Sequence, residues 1–420
     1  MLVSLGEAPS IRLVASEPTR SSASGSGAPR RGARSRTRWD ALLAELERFT
    51  KKVWQVSSRT GPALRGRLIL QLVAATVTTD LRSLMEIPVV GAPLAGGSST
   101  PELAAAVSDA GGLGFIAAGY KTVDEVRDEI ERVRARTRRP FGVNVFFPTQ
   151  LAGDEAEVAD YTLRLAGEAE RYGVSCGDAS WSDDGWEGKL ELVTRERPAV
   201  ASFTFGCPDH AIVARLKENR IAVWCTVTSP TEARIATAAG VDALVVQGAE
   251  AGGHQGSFDD TDAAPVGLLA LLQLVRKATH LPLVAAGGIA NGEGVAAVIA
   301  ADASAAQIGS CLMLTPEAGT SAPHRTAFGG DAPTALTRAF SGRRARGIVN
   351  RFMRDHDAAA PKAYPQVHYL TAPLRAAARA AADADGINLW AGQAYPLAEA
   401  VPAAELVTRW GAEAHAALQR

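Results

Sequence analysis

Three observations predict a (β/α)8 barrel with a smaller helical C-terminal cap region. Eight apolar runs of strand length alternate with helical patterns between Met85 and Ser310. The runs show no polar alternation, which suits parallel strands covered on both faces. Their connections carry the helix-capping and glycine signals of βα units. A doubly wound open sheet would give the same alternation, and the count of eight favours closure.

The elements follow in order. Ile87–Val90 is the first strand, and the loop Gly91–Gly97 leads to Thr100-Pro101-Glu102, a hydroxyl cap with proline at the first helical position. Leu113–Ala117 is the second strand. Thr122–Glu125 is a capping box for a helix burying Val126, Ile130 and Val133. Phe141–Val145 is the third strand. A less regular insertion follows, with a helix near Glu155–Tyr172 and an acidic, Trp-containing loop at Asp178–Gly188. Ala199–Phe203 and Ile221–Thr226 are strands four and five, separated by the helix Pro208–Glu218. Ser229–Glu232 reads as a second capping box, whose helix closes at Gly240. Asp242–Val246 is the sixth strand, and the loop Gln247–Gly256 carries His254. A helix over Pro265–Ala278 leads to Leu283–Ala286, a short helix starts at Gly292, and Ala305–Ile308 is the eighth strand. Beyond about residue 315, Pro316–Arg354 and Leu374–Asp385 read as helices of a cap region, 316–420.

Residues 1–84 have no place in the alternation. Ser21–Arg36 is Ser, Gly and Arg with little to bury and reads as disordered, whereas Trp39–Val53 and Arg67–Thr78 have helical spacing. The leader is Arg- and Ser-rich like a transit peptide, but the simpler reading is a dispensable extension before a functional chain starting at Met85. No apolar core with a small-residue cleavage site follows the N-terminus, which argues against a signal peptide.

Composition sets outer bounds. With 47% hydrophobic residues, 21% charged residues and a net charge of −1, the chain suits a soluble globular protein. That balance argues against nucleic acid or an anionic membrane as the main partner. The longest apolar stretch, Leu68–Val77, falls short of a membrane span. Cys176, Cys207, Cys225 and Cys311 form no CxxC or zinc spacing and read as reduced thiols of a cytoplasmic enzyme.

In a (β/α)8 barrel, chemistry lies at the C-terminal ends of the strands. Here those ends offer Pro93, Leu94, Asn144, Phe205, Gly206, the loop Gln247–His254, Gly287, Gly288 and Gln307–Ser310. Carboxylates are nearly absent, so neither a metal site nor a glycosidase pair is expected. Amides and glycines suit a planar, polar, phosphorylated cofactor, and flavin mononucleotide (FMN) fits. Asn144 and Gln247 either bond a ring edge or merely cap their strands. Gly287-Gly288 and Gly309-Ser310 are placed to receive a phosphate. His254, with glycines on three sides of it in its loop, is the expected catalytic residue. The other histidines read as satisfied residues, Arg343, Arg344 and Arg346 read as a solvated face, and the dinucleotide-like Gly292–Ala297 reads as an accidental match.

Seven segments carry a resemblance: Ala92–Ala118, Phe141–Phe146, Ser202–Pro208, Gln247–Gly256, Leu283–Ala290, Gln307–Ser310 and Asn388–Tyr395. Together they resemble the nitronate monooxygenases, formerly called 2-nitropropane dioxygenases, from Met85 to the C-terminus. The resemblance implies a barrel with non-covalent FMN that oxidises alkyl nitronates, typically propionate 3-nitronate, with O2. Asn144, Gln247, Gly252, Gly287, Gly288, Gln307, Ile308, Gly309 and Ser310 would hold FMN. Ala92, Pro93 and Leu94 would pass beside its ring, His254 would face it from the substrate side, and Tyr395 would contact substrate. Leu94 stands where the family usually has methionine, and Ser310 where it often has threonine; both exchanges keep shape, and the second keeps a hydroxyl. Expected partners are a small nitronate and O2, without nucleic acid or membrane, for a monomer or homodimer. An FMN-dependent enoyl-[acyl-carrier-protein] reductase using NAD(P)H is the main alternative, and a catalytically inactive flavin-binding barrel is another.

Overall fold

The computed structural model describes residues 81–149, 153–260 and 262–420; the segments Ser21–Arg36, Trp39–Val53 and Arg67–Thr78 lie outside them. The strands in chain order are β1 (Val89–Gly91), β2 (Gly114–Ala117), β3 (Phe141–Phe146), β4 (Val200–Thr204), β5 (Ala222–Val227), β6 (Ala243–Gln247), β7 (Gly253–His254), β8 (Leu283–Ala286), β9 (Ala305–Ile308), β10 (Thr334–Thr337) and β11 (Ala345–Ile348). Eight of them pair in parallel in the order β1-β9-β8-β6-β5-β4-β3-β2. The two ends then meet: Gly91 N donates to Leu113 O at 2.9 Å and Leu113 N to Val89 O at 3.0 Å. That bridge closes the ring and rules out the open-sheet alternative.

Alternation along each strand explains what the ring encloses. Side chains one residue apart face opposite sides, so Val223, Cys225 and Val227 of β5 join the core between strands and helices while Trp224 turns inward. Phe115, Trp224, Val245 and Val284 fill the lower interior, with Leu81, Leu84 and Met85 packed against the same cluster. Leu81 and Leu84 thus belong to the barrel although they precede the expected boundary at Met85. Farther up, the inward positions become polar: Asn144, Ser202, Thr204, Thr226, Gln247 and Gln307. The switch from apolar to polar marks the floor of a cavity.

Most helix starts follow their capping chemistry. The Thr100 hydroxyl accepts from Leu103 N, and Thr122 with Glu125 completes a capping box. At Ser229 only half of the expected box forms. The serine accepts from Glu232 N, but the Glu232 carboxylate receives Thr228 N and Phe258 N, because a distant loop offers a donor within reach. The expected helix Glu155–Tyr172 is broken at Leu165 into Glu155–Arg164 and Ala166–Tyr172. A helix at Trp186–Glu196 begins inside the segment read as an acidic loop.

The region after β9 departs most from expectation. Pro316–Arg354 is not helical throughout: it contains the short helices Ala322–Ala327 and Arg351–His356, and between them an antiparallel pair, β10 and β11. β11 also pairs with β7, aligning Ala345 with His254 and Arg346 with Gly253. Alanine content favours helix locally, but the free edge of the His254 loop recruits this segment as a strand. The later helix spans Gln366–Ala380, earlier than Leu374–Asp385, and Ala403–Ala417 packs on the barrel helix Gly292–Ala300. No helix among the described residues is long and apolar enough to cross a membrane, and all four cysteines are free.

Candidate active site

A cavity of about 360 Å³ opens above the polar layer, within the ~300–1,000 Å³ usual for cofactor and ligand sites. It gathers Ala92, Pro93, Leu94, Asn144, Gln247, Gly252, His254, Gly287, Gly288, Gln307, Gly309 and Ser310 into one wall system. Two expected residues stand apart. Ile308 projects into the core between strands and helices, because the inward position beside it belongs to Gln307. Tyr395 is buried against Phe328, with its hydroxyl donating to Ala332 O at 2.8 Å, so it anchors a loop and does not reach the cavity.

The floor is organised by side-chain amides. Asn144 Nδ2 lies 2.8 Å from Ser202 Oγ and 3.0 Å from Thr204 Oγ1, which ties β3 to β4. Gln247 Nε2 donates to His254 O at 3.1 Å, and its Oε1 accepts from Gly256 N at 2.6 Å. Gln247 therefore pins the loop that presents His254. Each amide serves as a brace and still lines the cavity.

The end of the cavity over β8 and β9 is built of turns. Gly287, with φ of +115°, has its α-carbon against Ala251, where an added Cβ would sit 3.0 Å from Ala251 N. Gly252 packs so tightly on the C-terminal segment that an added Cβ would come within 2.4 Å of Gly392 N. Gly392 N in turn donates to Ser310 Oγ at 2.8 Å, and Gln393 N to Glu250 O at 3.0 Å. The Asn388–Tyr395 segment thus stitches the His254 loop to the Gly309-Ser310 turn. Glu250 caps the helix Leu268–Arg276 through Leu268 N.

The opposite side is aromatic and cationic. His254 meets Phe205, Tyr364 and Trp390 with ring centroids 5.8, 5.6 and 5.6 Å away. Tyr120 stacks on His368 at 3.8 Å, and its hydroxyl is 3.0 Å from that of Tyr364. Tyr120 adopts φ of +66°, held by Tyr120 N donating to Asp184 Oδ1; Asp184 is paired at 2.7 Å with the buried Lys189. Arg375 faces the cavity from the helix Gln366–Ala380, bonded to Thr371 and to His368 O.

Arg343 is fully buried rather than solvated. Its guanidinium lies 4.1 Å from the Phe205 ring centroid and donates to Gln255 O and Ser257 O. Arg346 is also buried and donates to Ala249 O, while Arg344 is partly exposed. A run of arginines resembles a charged surface, and only the tertiary structure buries Arg343 in the β10–β11 turn and Arg346 within β11.

Electrostatics follow from this enclosure. Among the described residues no aspartate or glutamate lines the cavity. Burial, reinforced by Arg343 and Arg375, pulls the His254 pKa down to about 3. Burial lowers Arg375 to about 10 and places His368 well below the usual imidazole range. His254 is therefore a neutral imidazole at physiological pH, with Nε2 2.9 Å from Ser341 Oγ. Among the described residues no cluster of three His, Cys, Asp or Glu offers a metal site.

Sequence reasoning did not find Tyr120, Ser341, Tyr364, His368 or Arg375. They come from three separate stretches of the chain, and only His368 and Arg375 share an element, the helix Gln366–Ala380.

Comparisons with known proteins agree with this geometry. The family model for nitronate monooxygenase matches residues 78–412. Nitronate monooxygenase from Paraburkholderia phytofirmans is 39% identical, over 80% of this chain and 95% of its own. The Pseudomonas aeruginosa nitronate monooxygenase is 42% identical, over 76% and 94%. The solved structure of nitroalkane oxidase from Streptomyces ansochromogenes superposes with a TM-score of 0.79 at 49% identity, covering 81% of this chain and 99% of that one. FabK from Thermotoga maritima reaches 0.64 at 27% identity, covering 82% and 98%. The closed eight-stranded ring, the glycine turns over its last two strands and the match across most of the sequence lead to one assignment: the chain belongs to the nitronate monooxygenase family.

Proposed function

We propose that this chain is an FMN-dependent nitronate monooxygenase that oxidises alkyl nitronates, such as propionate 3-nitronate, with O2 to a carbonyl compound and nitrite or nitrate. One observation carries the reading: a single cavity has amides and positive-φ glycine turns on its barrel side and a neutral histidine among aromatic rings on the other. The residues fit FMN. Gly287, Gly288, Gly309 and Ser310 form turns whose backbone N–H groups suit a phosphate, and Gly252 leaves room where a side chain would intrude. Asn144, Gln247 and Gln307 are the polar groups for the ring edge, with Ala92, Pro93 and Leu94 beside it.

When bound, FMN supplies the electron acceptor and the route to O2. The protein binds the anion, orients it and excludes water. A nitronate is already ionised at carbon, so no strong base is needed, and a cavity lined by Arg375 and, among the described residues, by no carboxylate, with Arg343 buried behind Phe205, favours its negative charge. His254 Nδ1 has no hydrogen-bond partner among the described residues and is the nitrogen left to meet a nitronate oxygen. We place the activity in the barrel and the cap region and treat the segment upstream of the barrel floor as dispensable for it.

The test is a visible spectrum of the purified protein followed by O2 uptake with propionate 3-nitronate, with and without NADPH. A yellow protein that consumes O2 without NADPH is expected. A strict NADPH requirement would favour the reductase alternative. A colourless protein that does not take up FMN would end the flavin reading.

A further inference from the structure

We propose that Arg343 is the positioning residue of this site, bracing at one point the three things that hold His254: the backbone of its loop, the Phe205 ring and the Ser341 hydroxyl. This inference rests on the function proposed above and adds a residue that never touches the reacting atoms.

The geometry converges on one guanidinium. Arg343 Nε and Nη2 reach Gln255 O and Ser257 O, the carbonyls just beyond His254. Its planar group covers Phe205 at 4.1 Å, and Phe205 meets the imidazole edge-on. Its backbone closes the Ser341 turn: Ser341 Oγ is 3.1 Å from Arg343 O, 3.4 Å from Arg343 N and 2.9 Å from His254 Nε2. Among the described residues no carboxylate lies within ion-pair distance of the sealed Arg343, Asp260 acting on it only from farther away, so its burial is costly and calls for a specific gain. Lysine lacks the planar fork that meets two carbonyls while stacking on a ring.

The charge matters as well as the shape. The titratable and charged groups facing His254 are Arg343 from the β10–β11 turn, Arg375 and His368 from the helix Gln366–Ala380, Tyr364 just before that helix, and Tyr120 from the loop after β2. None is a carboxylate. Arg343 contributes to holding the imidazole unprotonated, and removing its charge should raise the histidine's ionisation toward the ordinary range.

The experiment compares flavin-loaded wild type with Arg343→Met and Arg343→Lys. The His254 ring is titrated by NMR, its signals assigned with His254→Asn, and kcat/KM is measured against pH. Arg343→Met should lower kcat/KM about 100-fold and move the His254 titration to higher pH than in the wild type. Arg343→Lys, which keeps the charge, should lose rate without that shift. The losses of Arg343→Met and His254→Asn should not multiply when combined. An unshifted His254 titration together with fully multiplying losses would overturn the proposal. If Arg343→Met does not fold, Phe205→Leu with Arg343→Lys reads the same bracing, and unchanged His254 signals in both would equally overturn it. The NMR titration needs no turnover, so a wild type inactive on nitronates would sink the proposed function while leaving this inference decided by the ring signals.

Discussion

His254 Nε2 lies 2.9 Å from Ser341 Oγ, so the imidazole expected to meet substrate is held by a hydroxyl rather than a carboxylate. A hydroxyl can donate or accept, and which it does sets the tautomer. If Ser341 gives its proton to Arg343 O, Nδ1 carries the free lone pair; if it gives it to His254, Nδ1 carries the hydrogen. Ser341→Ala removes the choice. With a net hydrogen bond worth about 1 kcal/mol, kcat/KM for a nitronate should fall roughly 5- to 10-fold while bound flavin is retained. Steady-state O2 uptake checks this, and an unchanged kcat/KM would show that the contact does not hold the ring.

The lowered His254 pKa of about 3 predicts the pH behaviour. Above that value the imidazole carries no charge to gain or lose, so kcat/KM for a preformed nitronate should be flat from about pH 5 to 9 on His254's account. His254→Asn should then cost nitronates less than neutral nitroalkanes if the ring also serves as a base. Comparable losses on both substrates would count against the base role.

Three histidines held neutral by their surroundings predict acid sensitivity of the fold. His254 and His324 fall to about 3 and about 4, and His368 falls well below its usual value, all chiefly through burial. Unfolded histidines bind protons near pH 6.5, where the folded ones do not. Between those limits the unfolded state holds more protons, so stability rises with pH and is lost on acidification. The Tm should drop as pH goes from 7 to 5, and replacing His324 with Gln should flatten that slope. A Tm indifferent to pH over this range would contradict the assignment.

Gly252 tests the cofactor wall. Because a Cβ would meet Gly392 N at 2.4 Å, Gly252→Ala should push the His254 loop off the C-terminal segment and weaken FMN binding at least 10-fold. The ratio of flavin to protein absorbance after gel filtration reports it. Full retention of flavin would show that the loop has room to yield.

Lys189 and Asp184 stabilise a wall of the cavity from behind. Lys189 is buried, its partner is Asp184 at 2.7 Å, and Asp184 also accepts Tyr120 N. Lys189→Met leaves a largely buried carboxylate alone, which costs about 3–5 kcal/mol in comparable pairs. The Tm should fall by several degrees and KM should rise as Tyr120 loosens. Adding Asp184→Asn should recover much of the stability, and a double variant no better than the single would argue against the pair.

Much of the molecule is written locally. The eight strands, the capping residues Thr100 and Thr122, the glycine turns and the singular loop around His254 are legible because each depends on a few neighbouring residues: apolar runs, hydroxyl caps, and backbone that only glycine tolerates. Those features determine the barrel and the side of it where the candidate site opens. What the sequence alone does not decide is which distant residues meet. The edge of the two-residue strand at His254 recruits Ala345–Ile348, which overrides the helical leaning of that region and carries Arg343 inward. Tyr120, Ser341 and Arg375 join the same chamber, with Tyr364 packed against His254 beside it, only once the ring closes and the cap region folds over it. Tyr395, adjacent in sequence to the stitching segment, is turned into a small core instead. Local propensity is a matter of fractions of a kcal/mol per residue, whereas burial, strand pairing and the pairing of charges away from water act between residues far apart in the chain. The chemistry of this site belongs to that second set.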